Sequence, residues 1–171
     1  MSIKLITNDE HYKQVLEPIA AAKEFVWIGT ADIKDLHVKH GFHTQPFQAV
    51  LNSLLQKKVA IRLLHAKEPG KIFQDTFDKY PLLMKDMERQ LCPRVHFKQI
   101  IIDGKLAYVG SANLTGAGLG MKSTNTRNFE SGILTSDPDL IEALMNQFDQ
   151  VWMGKHCKTC KRKTYCSDPI K

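Results

Sequence analysis

Apolar positions along the chain fall into two alternating patterns. Val15, Leu16, Ile19 and Ala20 lie at helical spacing behind the capping candidates Thr7 to Asp9, which predicts a helix over about 9–23. Residues 25–29 form a short apolar run, the pattern of a buried strand. The stretch 31–45 reads as a loop and carries His37, His40 and His43. Pro46 opens a predicted helix to about residue 57, with Phe47, Val50, Leu51, Leu54 and Leu55 on one face, and a strand follows over 59–65. A helix over 71–90, interrupted at Pro81, leads to a strand over 95–102. Asp103-Gly104 marks a type I′ hairpin, with the return strand over 106–110. Gly116, Gly118 and Gly120 punctuate a loop to about Arg127, and a strand is expected over 129–135. Pro138 then starts the last helix, carrying Leu140, Ile141, Leu144, Met145, Phe148, Val151 and Trp152. Strands alternating with helices, plus one hairpin, predict an α/β fold: a mixed β-sheet flanked by helices on both faces, an α-β-α sandwich.

The 171 residues fill one ordinary domain and leave no room for two full lobes. With 43% hydrophobic and 25% charged residues, the chain is neither disordered nor fibrous. No window approaches the roughly 20 apolar residues of a membrane span, so no stable membrane insertion is expected. The first residues show no leader pattern, and the expected location is the cytoplasm.

Charge is unevenly placed. The formal net charge is +6. From Lys155 onward, six cations face one anion, Asp168, so the tail carries +5 and the preceding residues only +1. That distribution favours an anionic partner and locates the basic character in residues 154–171, a cysteine-rich tail expected to pack on a domain spanning 1–153.

The segment VHFKQIIIDGKLAYVGSANLTGAG carries the candidate chemistry. On a strand, His96 and Lys98 leave the same face about 6.6 Å apart, while Phe97 points to the core. A polar pair on an otherwise apolar strand belongs in a cleft, because an unpartnered buried ammonium is strongly disfavoured. The hairpin brings Ser111 and Asn113 back alongside. Imidazole, ammonium, hydroxyl and amide together suit a phosphoryl group. No carboxylate cluster accompanies them to hold Mg²⁺, which makes metal-dependent phosphate chemistry the weaker option.

The order His96-x-Lys98-x4-Asp103-x6-Gly110-Ser111-x-Asn113 resembles the HKD signature of the phospholipase D superfamily, and Asn128 to Gly132 resembles its downstream acidic element. The resemblance extends from about Phe25 to Trp152. It implies attack by a motif histidine on a phosphodiester, a covalent phosphohistidine, and a second histidine as general acid. His96 would be the nucleophile, Lys98 and Asn113 would bind phosphate oxygens, and Ser111 would support the intermediate. Glu130 would hold the His96 tautomer through a hydrogen bond. Asp103 is either part of the site or simply the first residue of the hairpin turn, which by itself explains it.

The mechanism needs two imidazoles, and the chain has one intact motif. His37-Val38-Lys39 is another His-x-Lys, but Thr44 stands where the motif needs Asp. A homodimer with its two-fold axis through the cleft supplies the second imidazole, an arrangement that small single-motif members of the family resemble.

Cys157-x2-Cys160-x5-Cys166 offers three soft ligands on a basic turn, and structural zinc wants four. Cys92 is the preferred fourth, with His156 as the alternative; an iron–sulfur cluster and free thiols are the competing expectations. A tetrathiolate zinc site would lower the net charge from +6 to about +4. In none of these cases does the metal perform the chemistry. The expected substrate is nucleic acid, DNA or RNA, with Lys161 and Arg162 of the tail contacting it. An acidic phospholipid such as cardiolipin is the main alternative, and a non-catalytic nucleic-acid-binding module the third.

Overall fold

The computed structural model describes residues 2–40, 43–167 and 169–170; Asp168 and Lys171 of the charge count, and Gly41 and Phe42 of the expected loop, lie outside them. Among the described residues nine strands form: β1 (Ile3–Thr7), β2 (Phe25–Thr30), β3 (His37–His40), β4 (His43–Pro46), β5 (Ala60–His65), β6 (Glu88–Leu91), β7 (Lys98–Ile102), β8 (Leu106–Gly110) and β9 (Ser131–Thr135). Seven of them make one sheet in the order β1-β9-β8-β7-β2-β5-β6, while β3 and β4 pair separately. Only β2-β5 and β5-β6 are parallel, so the sheet is mixed as expected.

The pleat of the central strands sorts the core. Val26, Ile28, Ile61, Leu63, Ile100 and Ile102 face the side covered by α1 (Glu17–Ile19), α2 (Phe47–Gln56), α3 (Lys71–Phe77) and α4 (Pro81–Asp86). The alternate residues Trp27, Leu64 and Ile101 face α5 (Pro138–Trp152), which buries Ile141, Leu144 and Phe148 against them. Each face loses its apolar surface to helices, which is the sandwich expected from the alternation.

Local chemistry explains the element ends. Asp137 accepts the N–H of Leu140 at 3.1 Å and caps α5 ahead of Pro138. Asp103 and Gly104 have φ of 54° and 62°, the left-handed pair that a type I′ turn requires. Pro18 has no N–H for the carbonyl four residues earlier, and the winding ahead of it is a π-turn over Tyr12–Leu16.

Three expectations are corrected, and one strand had not been expected. The expected helix over 71–90 ends at Asp86, after which Glu88–Leu91 adds strand β6 to the sheet edge. The supposed loop 31–45 holds the β3-β4 pair. β1 gave no pattern because Ile3 and Leu5 face solvent at the edge, leaving Ile6 as its buried apolar residue. β7 begins at Lys98, so His96 lies in the segment entering the strand rather than on it.

Among the described residues, two histidines outside the motif are fully buried. His11 and His65 are both held below the ordinary imidazole range, chiefly because burial penalises the cation. The unfolded chain therefore binds protons that the folded chain refuses. Stability contributed by these residues is complete above about pH 6.5 and declines as the pH falls below it. Denaturant midpoints are expected to drop between pH 7.5 and pH 5; an unchanged midpoint would show that neither burial matters.

Candidate active site

Four neighbouring strands deliver the site to one end of the sheet. Gly29 pairs with Gln99, and Lys98 with Gly110, which itself pairs with Gly132. The last residue of β2, the first of β7, the last of β8 and the start of β9 therefore stand in a row. Thr30 is the β2 member of that row, and just beyond it lie His96, Ser111, Asn113 and Glu130.

Lys98 is 9% exposed, and its ammonium donates to the His96 carbonyl at 2.8 Å. The ammonium also stands 3.3 and 3.4 Å from the two nitrogens of the His96 ring. Near-equal distances to both nitrogens are not an in-plane hydrogen bond to either, so the carbonyl is the firm acceptor. The ring itself is exposed to solvent. A buried cation thus lies under an open imidazole.

Asn113 is oriented by the end of β2. Its Oδ1 accepts the backbone N–H of Asp32 at 3.1 Å. The Thr30 hydroxyl donates to the Asp32 carbonyl at 2.7 Å and accepts the N–H of Leu114 at 3.0 Å. With the carbonyl end of the amide engaged, the Asn113 NH₂ is the end left to donate. Thr30 and Asp32 carry no motif signal, and the sequence reading missed them.

The Ser111 hydroxyl donates to the Glu130 carboxylate in a short hydrogen bond and accepts the Ser131 N–H at 3.1 Å. Asn128 Nδ2 donates to the same carboxylate at 3.0 Å. Within one chain the Glu130 carboxylate is engaged by Ser111 and Asn128, and no described hydrogen bond joins it to His96. Within the subunit the carboxylate therefore braces the turn after β8.

A second brace lies beneath that turn. His11 donates through Nδ1 to the Asn8 carbonyl at 2.9 Å, which leaves Nε2 to accept from the Tyr108 hydroxyl at 3.1 Å. Tyr108 in turn accepts the Ala112 N–H at 3.1 Å. Burial pushes the Tyr108 phenol up to about 12, so it stays a neutral donor. Asn8 also holds the Glu130 backbone, accepting its N–H on Oδ1 at 3.1 Å. His11, Asn8 and Tyr108 come from separated positions, and no local spacing announced them. Tyr108→Phe would strand Ala112 N–H and His11 Nε2, and is expected to cost about 1–3 kcal/mol in denaturant unfolding.

Asp103 belongs elsewhere. It sits at the far end of the β7-β8 hairpin, roughly 17 Å from the site at about 3.3 Å per residue. Its carboxylate accepts the N–H groups of Lys23, Glu24 and Phe25 at 2.9, 2.8 and 2.9 Å. The turn reading holds, and a direct catalytic part does not fit this placement.

Residues 15–152 match the family described as "Cardiolipin synthase, PLD-like domain". The chain belongs to the phospholipase D superfamily. Among solved structures, this phospholipase D-like chain is similar to NucT from Helicobacter pylori, at 17% identity and a TM-score of 0.63, covering 87% of this chain and 94% of that one. It is similar to Nuc from Salmonella typhimurium, a phospholipase D family member, at 16% identity and a TM-score of 0.65, covering 88% and 93%. TrmBL2, an archaeal chromatin protein described with a novel mode of DNA binding, aligns at 11% identity and 0.61 over 90% of this chain and 52% of its own. At these identities the likeness is one of fold. No curated protein matches the sequence. Among the described residues, no helix of this superfamily member is long and apolar enough to cross a membrane.

Proposed function

We propose that the protein is a metal-independent phosphodiesterase, an endonuclease acting on DNA or RNA, whose active site is shared across a homodimer. The observation that carries this reading is an exposed His96 ring above a buried Lys98, in a chain of the superfamily with one intact motif. His96 attacks phosphorus through a ring nitrogen while Lys98 and the Asn113 NH₂ neutralise the phosphoryl oxygens. His96 of the partner subunit donates its proton to the leaving oxygen. That ring, now neutral, takes a proton from water, the hydroxide displaces His96 from phosphorus, and both rings return to their starting states. Ser111 and Glu130 keep the turn carrying Asn113 in place.

Two observations support the dimer. One chain brings a single motif histidine to the site, and Phe129, next to Glu130 at its rim, is 95% exposed. An aromatic ring that open is what a second copy laid over the cleft would cover.

Nucleic acid is favoured by the cationic tail and by the near end-to-end match to Nuc and NucT. The family description names a lipid synthase, so acidic phospholipid is the second reading. Labelled DNA and RNA are expected to be cut in the presence of EDTA, with an apparent affinity that falls steeply with salt. Headgroup release from cardiolipin vesicles with both nucleic acids left intact would overturn the substrate.

A further inference from the structure

The tail after α5 has no core of its own. From Lys155 to Ile170, every described residue is exposed except three, and those three are Cys157, Cys160 and Cys166. Its regular structure is a single 3-10 turn, Lys163–Tyr165, with no buried residue. A segment that buries so little apolar surface cannot offset its ordering entropy by packing. Something else must fix it.

The three half-buried thiols share a cavity of about 20 Å³ with Cys92, which is also half-buried, and with Pro93, Arg94 and Lys163. Cys92 lies more than sixty residues upstream, just beyond β6, where its N–H bonds the His65 carbonyl at 2.8 Å. The Arg162 N–H donates to Cys160 Sγ at 3.4 Å, so the backbone after Cys160 already turns around its sulfur. His156 lines the larger adjoining cavity of about 310 Å³ with Cys92, Cys157 and Cys160 but does not reach the small one. The described side chains do not yet converge on one point as a finished metal cluster. All four cysteines nonetheless line that one small cavity.

We infer that Cys92, Cys157, Cys160 and Cys166 bind one zinc ion as a tetrathiolate, and that this clasp fastens the basic tail to the segment leading into His96. Four soft ligands without an open position suit a structural ion rather than a reacting one. Binding displaces the thiol protons to solvent, and no electron changes hands. Val95 N–H bonds the Cys92 carbonyl at 2.9 Å, so the clasped turn is the one that delivers His96, and it holds Lys161 and Arg162 at the same end of the sheet.

The test needs no substrate and stands whether or not the nuclease reading does. Elemental analysis of full-length protein purified under reducing conditions is expected to give one zinc per chain. Cobalt replacement should give a thiolate-to-metal charge-transfer band, lost in Cys92→Ser and in Cys166→Ser. Removing the ion with a high-affinity chelator should raise tryptic cleavage within 155–163 roughly tenfold, since cleavage follows the opened population, and adding zinc back should reverse it. The same chelator should not change cleavage of Cys166→Ser. Metal-free protein with four titratable thiols, disulfide-bonded protein, or iron in place of zinc would each overturn the inference.

Discussion

His96→Asn is expected to lower phosphodiester cleavage by about a thousandfold or more while leaving the protein folded and dimeric. His96 precedes β7, and its ring is exposed with the Lys98 ammonium as its described partner, so truncating it leaves no buried group stranded. An asparagine amide cannot form the covalent phosphorus–nitrogen bond or carry the proton to the leaving oxygen. In a shared site the substitution removes nucleophile and acid together. Single-turnover cleavage of labelled DNA and RNA, alongside the thermal transition and sedimentation of the variant, separates lost chemistry from lost structure. Full activity in His96→Asn would end the proposed mechanism.

Asp103→Ala is expected to act on stability instead, lowering it by about 2–3 kcal/mol with kcat of the folded protein unchanged. Its carboxylate accepts three backbone N–H groups that would lose their acceptor. Alanine must also adopt φ near 54°, which asparagine tolerates better. Asp103→Asn should therefore be the milder change. Partial burial raises the Asp103 pKa, but hydrogen bonds from Glu24, Phe25 and Lys23, with Lys105 nearby, outweigh it and hold the carboxyl below the usual range. Its contribution is complete above about pH 4 and is lost as the pH falls through the lowered value. Urea midpoints for wild type and both variants at pH 7 and pH 3 check this. A large loss of turnover without loss of stability would instead place Asp103 in the chemistry.

What could be read in advance was local. The motif spacing located His96, Lys98, Ser111 and Asn113 because a hairpin of fixed register brings them to one sheet end, and Asp-Gly fixed that register. Helix α5 was legible because its apolar stripe faces the sheet along its whole length. Thr30 and Asp32 were not, since the Thr30 hydroxyl meets the Leu114 N–H and the Asp32 N–H meets the Asn113 side chain across more than eighty residues. The same holds for His11 and Tyr108, which meet only after β1 and β9 pair. Strand β6 hid inside an apparent helix because Glu88, Arg89 and Gln90 carry little strand preference, and its pairing with β5 decided the matter. Glu130 was found by order in the chain, but order alone does not show that its carboxylate accepts from Ser111 and Asn128 within the subunit.

Subunit mixing tests the shared site most directly. Wild-type and His96→Asn chains, combined in equal amounts and allowed to exchange partners fully, give one quarter wild-type dimers. If both rings serve one reaction, activity is expected to settle at about a quarter of that of the same total amount of wild type. Activity at about one half would mean that each chain works alone, and would contradict the account.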